Sequence, residues 1–135
     1  MTYPIAAIGT DADEAKKLRT LRIRTAERLL EAAKNPKGRR HLAEETGITE
    51  KRLLSLANYA DRMRIKGLGK EYAAILPAVG VDTVRELKYR NPERLAHAIA
   101  ELNKKRKLVR FLPPVSVVER WIEQAKKLPL KITYR

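Results

Sequence analysis

The sequence predicts an all-α protein, a compact bundle of about eight helices built from two tandem units. Three observations lead there. Alternation of apolar and polar residues, the mark of a strand, is nowhere sustained. Helix breakers fall at regular intervals, and helix start signals follow them. The two halves of the chain also use similar start signals in the same order.

The first half reads as four helices. Thr10 stands before Asp11, Asp13 and Glu14, an acidic first turn that suits the positive end of a helix running to about Thr20. Thr25 then caps a helix over Ala26 to Ala33. Asn35 and Pro36 supply a cap and a first helical residue for a third helix, which stops at Gly47. Thr49 caps a fourth, with Leu53, Leu54, Ala57 and Ala60 at helical spacing.

The second half repeats this grammar. Arg64 to Gly69 is a tight turn, followed by a helix to about Val79 with Gly80 just past its end. Thr83 with Glu86 forms a capping box for a short helix. Asn91 and Pro92 start a long one through Leu95, Ile99 and Leu102. Pro113 and Pro114 break the chain, and Ser116 with Glu119 offers a capping box for a last helix bearing Trp121, Ile122 and Ala125. Ile23 to Leu29 aligns with Val81 to Leu87, and Asn35-Pro36 with Asn91-Pro92. The expected organisation is one domain, residues 1–135. Pseudo-repeats cover roughly 3–62 and 63–128, and a short tail covers 129–135.

Charge narrows the function. Thirty Lys and Arg face sixteen Asp and Glu, a formal +14. Like charges repel within a fold, so a polyanionic partner, commonly nucleic acid, accounts for the imbalance better than stability does. A merely solubilised surface is the plainer alternative. One Trp, one Phe and five Tyr are few for a platform that stacks successive bases. With no cysteine there is no disulfide framework, thiolate metal site or thiol nucleophile. The opening MTYPIAAIGT lacks the basic and apolar regions of a leader, and no apolar run nears the ~18 residues of a membrane span. A cytoplasmic protein without membrane attachment is the expectation.

The segment Ile65-Lys66-Gly67-Leu68-Gly69-Lys70, leading into Tyr72-Ala73-Ala74-Ile75-Leu76 and closing over Val79 to Leu87, has the helix-hairpin-helix pattern. Gly67 and Gly69 permit the backbone angles of a very short turn and leave the main chain open to a phosphate. The next helix aims its free N–H groups at the same place. Leu68 plugs the turn into the helices, while Lys66 and Lys70 add charge-assisted contacts. Arg64 and Arg62, just upstream, extend the patch. Contacts of this kind touch backbone rather than bases, so little sequence preference is expected. The other reading of the same residues is a purely structural hairpin.

The first unit carries a degenerate version, Ile5-Ala6-Ala7-Ile8-Gly9, with Ala7 in place of the first glycine and Asp11 and Asp13 placed to repel phosphate. That hairpin reads as structural. The helix after it holds Lys16, Lys17 and Arg19, with Arg22, Arg24 and Arg28 beyond, which either carry nucleic acid or form a solvated face. Lys37, Arg39 and Arg40, and the run Lys104 to Lys107 with Arg110, are further basic groups. The second run ends a helix, where cations also complement the dipole.

Enzyme readings are weaker. Val81-Asp82-Thr83 resembles the catalytic Asp setting of helix-hairpin-helix DNA glycosylases, yet it follows Gly69 by only thirteen residues, and Asp82 beside a helix cap is the simpler account. A lysine-based lyase would need a desolvated amine that no motif marks. His41 with Glu44 and Glu45 makes at most a two-ligand corner, short of a metal site. No catalytic residue, metal, cofactor or small-molecule substrate is expected.

The stretches Asn58 to Gly69, Gly80 to Leu87, Tyr89 to Pro92 and Trp121 to Ala125 resemble a bacterial family of helix-hairpin-helix-containing proteins classed as a domain of unknown function. The resemblance runs from Tyr3 to about Leu128. It implies a fold related to the helix-hairpin-helix units of repair proteins and of the RNA polymerase alpha C-terminal domain, and it brings no activity with it. The residues therefore decide the expectation, which is binding of nucleic acid, DNA more than RNA, through backbone phosphates. Arg64, Lys66, Gly67, Leu68, Gly69 and Lys70 lead, supported by Arg62, Lys16, Lys17 and Arg19. The alternative is an adaptor for an acidic protein, which an exposed apolar patch around Trp121, Phe111 and Leu112 would favour.

Overall fold

The computed structural model describes residues 3–135; Met1 and Thr2, which open the stretch read for a leader, lie outside them. Over the described residues the protein is all-α, with eight α-helices, two 3-10 segments and a single isolated bridge between Pro4 and Thr25. The chain divides into two compact units. One comprises residues up to 61 together with 131–135, and the other residues 62–130.

The first unit opens with a 3-10 segment, Ile5–Ile8, and continues through α1 (Ala12–Thr20), α2 (Ala26–Ala33), α3 (Pro36–Thr46) and most of α4 (Glu50–Arg62). Asp11 caps α1, not Thr10. Its Oδ1 accepts the Glu14 N–H at 2.7 Å, and Glu14 Oε1 accepts the Asp11 N–H at 3.0 Å. Thr10 turns its hydroxyl back onto the Ile5 carbonyl at 2.9 Å, so it is spent on the preceding segment. Thr25, Asn35 and Thr49 cap the next three helices through the N–H groups of Arg28, Gly38 and Arg52. Gly47, at φ 76°, ends α3 in the left-handed conformation that glycine adopts without strain. Ile5, Ile8, Leu18, Leu29, Leu53 and Leu56 are fully buried, each stabilising the fold by about 1.5–3 kcal/mol relative to exposure.

The extended tail has a partner that its sequence did not identify. The Thr133 N–H donates to the Lys34 carbonyl at 2.7 Å, and the Arg39 guanidinium donates to the Thr133 carbonyl at 2.7 Å. Arg39 also donates to Ala33 O at 2.8 Å, satisfying a carbonyl at the end of α2. This arginine is buried, and its burial pulls its pKa down from the ordinary arginine value.

The second unit holds α5 (Gly69–Ile75), a 3-10 segment Leu76–Val79, α6 (Val84–Leu87), α7 (Pro92–Arg106) and α8 (Val115–Lys127). The spacing predicts one helix from the turn to Val79, but the α form ends at Ile75. Pro77 has no N–H to give the Ala73 carbonyl, so the ladder tightens there. Thr83 and Glu86 form their capping box, and Asn91 caps α7. The box expected at Ser116 and Glu119 does not form. Pro114 is the cap residue of α8, no side chain caps that helix, and Ser116 already lies inside it. Val118, Trp121, Ile122 and Ala125 make the buried stripe of α8, packed with Leu76, Leu87, Leu95 and Ile99 in one core.

Candidate nucleic-acid interface

The charge is unequally shared. Residues 62–130 contain sixteen Lys and Arg against seven Asp and Glu, a net +9, whereas the first unit holds fourteen against nine, a net +5. The turn that links α4 to α5 lies in the more basic unit.

That turn is anchored from below and open above. Met63, Ile65 and Leu68 are buried, while Lys66 and Gly67 are exposed. Ile65 and Leu68 close two short loops by donating to the carbonyls of Arg62 and Ile65, each at 3.2 Å. Gly67 (φ 84°) and Gly69 (φ 70°) are both left-handed, and a Cβ at either would meet nothing within 4 Å. Open space thus stands over both glycines. Leu68 fills the role expected of it, at 1% exposure.

Gln124 of α8 fixes the turn. Its side-chain oxygen accepts the Lys66 N–H at 2.8 Å, and its nitrogen donates to the Lys66 carbonyl at 2.9 Å. The main chain of Lys66 is therefore engaged, and only its ammonium is left to face a ligand. The Arg64 guanidinium, half-buried, reaches the Pro129 carbonyl at 3.3 Å, just beyond the end of α8. Lys70 is exposed in the first turn of α5. The structure so gathers Arg64, Lys66, Gly67, Leu68, Gly69 and Lys70 at one turn. No side chain caps α5, and with seven residues it has little dipole to lend.

Arg62 does not join them. It is 3% exposed, and its guanidinium donates to Ala73 O at 3.0 Å and to Asp82 O at 2.7 Å. The Ala73 carbonyl is the one that Pro77 leaves without a helical donor. Arg62 supplies the missing donor, so its charge serves the fold rather than the surface.

Lys16, Lys17 and Arg19 are exposed on α1 in the first unit. Lys17 is paired with Asp13 at 3.0 Å, an exposed contact between neighbouring turns. The turn before α1 is filled where its counterpart is open. A Cβ on Gly9 would lie 3.3 Å from the Tyr59 ring, the Asp11 carboxylate occupies the helix start, and Arg52 donates to the Gly9 carbonyl at 2.9 Å.

One residue that holds the turn, and two on its stripe of α8, carry no signal in the sequence. Gln124 gives no signal until its partner is known. Arg120 and Lys127, both exposed, lie on the same stripe of α8 as Gln124 by helical spacing, so the clamp on Lys66 brings that stripe beside the turn.

Among the described residues no group of three or more His, Cys, Asp or Glu is placed to hold a metal ion. No described helix is long and apolar enough to cross a membrane. No curated protein and no solved structure matches the chain. A family model does match, over residues 8–128, and on that match the chain belongs to the family described as domain of unknown function DUF4332.

Proposed function

We propose that this protein is a nucleic-acid-binding module that holds backbone phosphates at the Arg64 to Lys70 turn, without sequence preference. The observation that carries the reading is the paired left-handed glycines, Gly67 and Gly69, with open space above both, inside the unit of net +9. A bare main chain at an exposed turn admits a phosphate oxygen to hydrogen-bonding distance, and Lys66, Lys70 and Arg64 add charge-assisted contacts. The turn is read as a helix-hairpin-helix, with duplex DNA as the leading ligand and the first unit as a degenerate second copy. Arg62 is left out of the interface because it is buried in carbonyl contacts. The reading is one of binding and not of catalysis, and it carries with it the bacterial cytoplasmic setting expected of the sequence.

The test is fluorescence anisotropy with a labelled duplex of about 30 base pairs across a salt series, on wild type and on Lys66→Glu/Lys70→Glu. Binding is expected to fall with log[salt] at a slope near −0.9 per phosphate, corresponding to roughly 3–6 contacts. The charge reversal is expected to remove most of it. Equal binding by the variant, or none by wild type at about 50–100 mM salt, overturns the reading. An RNA duplex in parallel separates the two polymers.

A second reading, an adaptor for an acidic protein, draws on one observation. Phe111 and Leu112 are exposed, although Trp121, the third residue of that expected patch, is buried.

A further inference from the structure

We propose that the loop between α7 and α8 presents Phe111 and Leu112 as an apolar wedge for unstacked bases, so that the protein prefers gapped or forked nucleic acid to intact duplex. The inference rests on the phosphate-binding reading above and adds the class of structure recognised.

The loop is built to hold its apolar tip outward. Phe111 is 77% exposed and Leu112 50%, with Leu108 and Val115 partly exposed on either side. Yet the backbone beneath them is fastened. The Asn103 carboxamide brackets Val109, accepting its N–H at 2.9 Å and donating to its carbonyl at 3.2 Å. The Tyr72 hydroxyl donates to the Phe111 carbonyl at 2.6 Å, and the Tyr72 ring packs on Trp121 at 5.1 Å between centroids. Val109 and Pro113 are buried as anchors. Tied at Val109 and Phe111 and plugged at Val109 and Pro113, the loop leaves its phenylalanine on the outside.

The charge around the tip selects the occupant. Lys104, Lys105, Arg106, Lys107 and Arg110 lie within seven residues, and no Asp or Glu occurs between Glu101 and Glu119. Of these cations Lys104 is tied to Glu101 at 3.1 Å. Lys107 stands in the left-handed conformation, φ 49°, at the end of α7. An apolar tip preceded by a run of exposed cations matches a polymer with apolar base faces inside a phosphate rim. A bilayer surface calls for a broader apolar face than one short loop provides. One phenylalanine is no platform for a run of bases, and it suits a single open step. Inserting a side chain into an intact stack requires unstacking it first, and a gap or fork has already done so.

The same helix frames both parts. Tyr72 lies one turn beyond Gly69 on α5, so the helix that follows the phosphate turn also carries the hydroxyl that positions Phe111.

Anisotropy on an intact duplex and on the same duplex with a gap of about three nucleotides tests this, using wild type, Phe111→Ala/Leu112→Ala and Phe111→Trp. Both altered side chains are exposed, and thermal melts establish that the variants fold. Wild type is expected to bind the gapped duplex about tenfold tighter or more. The double-alanine variant is expected to bind both at the intact-duplex level, and Phe111→Trp to keep the preference. Equal wild-type affinity for the two duplexes overturns the proposal, as does a preference that survives in the double-alanine variant. So does capture by phosphatidylserine vesicles that depends on Phe111 while the gap preference is missing. The failures are distinguishable: Lys66→Glu/Lys70→Glu reports on the phosphate turn through the intact duplex, whereas the wedge is read only from the ratio of the two duplexes.

Discussion

Gln124 holds the peptide of Lys66 from both sides, one carboxamide atom on its N–H and the other on its carbonyl, at 2.8 and 2.9 Å. An exposed turn with two left-handed glycines would otherwise sample many conformations. The pair of bonds selects one of them and ties the turn to α8. Asn103 does the same for Val109 in the loop between α7 and α8.

Gln124→Ala therefore loosens the turn without touching the core. Two hydrogen bonds at a half-buried site predict a loss of about 1–2 kcal/mol in urea melts. Gln124→Glu is a sharper probe. Its carboxylate still accepts the Lys66 N–H but has no donor for the carbonyl, and it places a negative charge beside the turn. Its duplex affinity is expected to drop below that of the alanine variant, as read by anisotropy at low salt.

Arg62 predicts the opposite pattern. Arg62→Met leaves the Ala73 and Asp82 carbonyls without their guanidinium donor, with an expected destabilisation of about 2–4 kcal/mol. A lysine there delivers one ammonium where two separated carbonyls wait, so Arg62→Lys recovers little. Lys66→Ala, exposed and with only its main chain engaged, is expected to change stability by less than about 0.5 kcal/mol. Chemical denaturation of the three variants checks the order.

Two glycines separate steric from conformational requirements. A Cβ at Gly38 would overlap the Ala32 carbonyl oxygen, a backbone atom that cannot swing aside. Gly38→Ala is expected to destabilise by about 3 kcal/mol or more. At Gly67 the space is open and only the left-handed backbone is strained, so Gly67→Ala predicts about 1–2 kcal/mol. Thermal melts that rank Gly67→Ala as the worse variant would contradict this geometry.

Helix starts were legible because their signals are local. Thr25, Asn35, Thr49, Thr83 and Asn91 each cap the helix that follows them through an N–H three residues on. Local signals mislead where two of them compete. Thr10 and Asp11 both suit a cap, and the Ile5 carbonyl decided between them; Ser116 resembles a cap, but Pro114 had already started the helix. The candidate site was legible only in part for a different reason. Glycines and lysines announce a turn, whereas the fate of each arginine depends on residues far along the chain. Arg62 looked like its neighbours until Pro77 orphaned the carbonyl that it serves. Arg39 likewise answers to Thr133, at the far end of the sequence.

The Glu14 and Arg52 pair makes stability depend on pH in a defined direction. Arg52 Nε donates to Glu14 Oε2 at 2.7 Å, and an Nη2 hydrogen bond reaches Oε1 at 2.9 Å. These bonds, helped by the Asp11 N–H and opposed by partial burial, hold the Glu14 carboxyl below the ordinary glutamate range. A carboxyl whose pKa is lower folded than unfolded stabilises the fold above its unfolded value. That stabilisation drains away as pH falls through about 4.5 and on past the folded value. Arg52 is substantially exposed, so screening trims the pair to about 1 kcal/mol. Glu14→Gln, which imitates the protonated side chain, should then lower stability at pH 7 by that amount and by less at pH 3. Urea melts at the two pH values measure the difference, and a gap that persists undiminished in acid would mean that the ion pair is not what holds Glu14 in place.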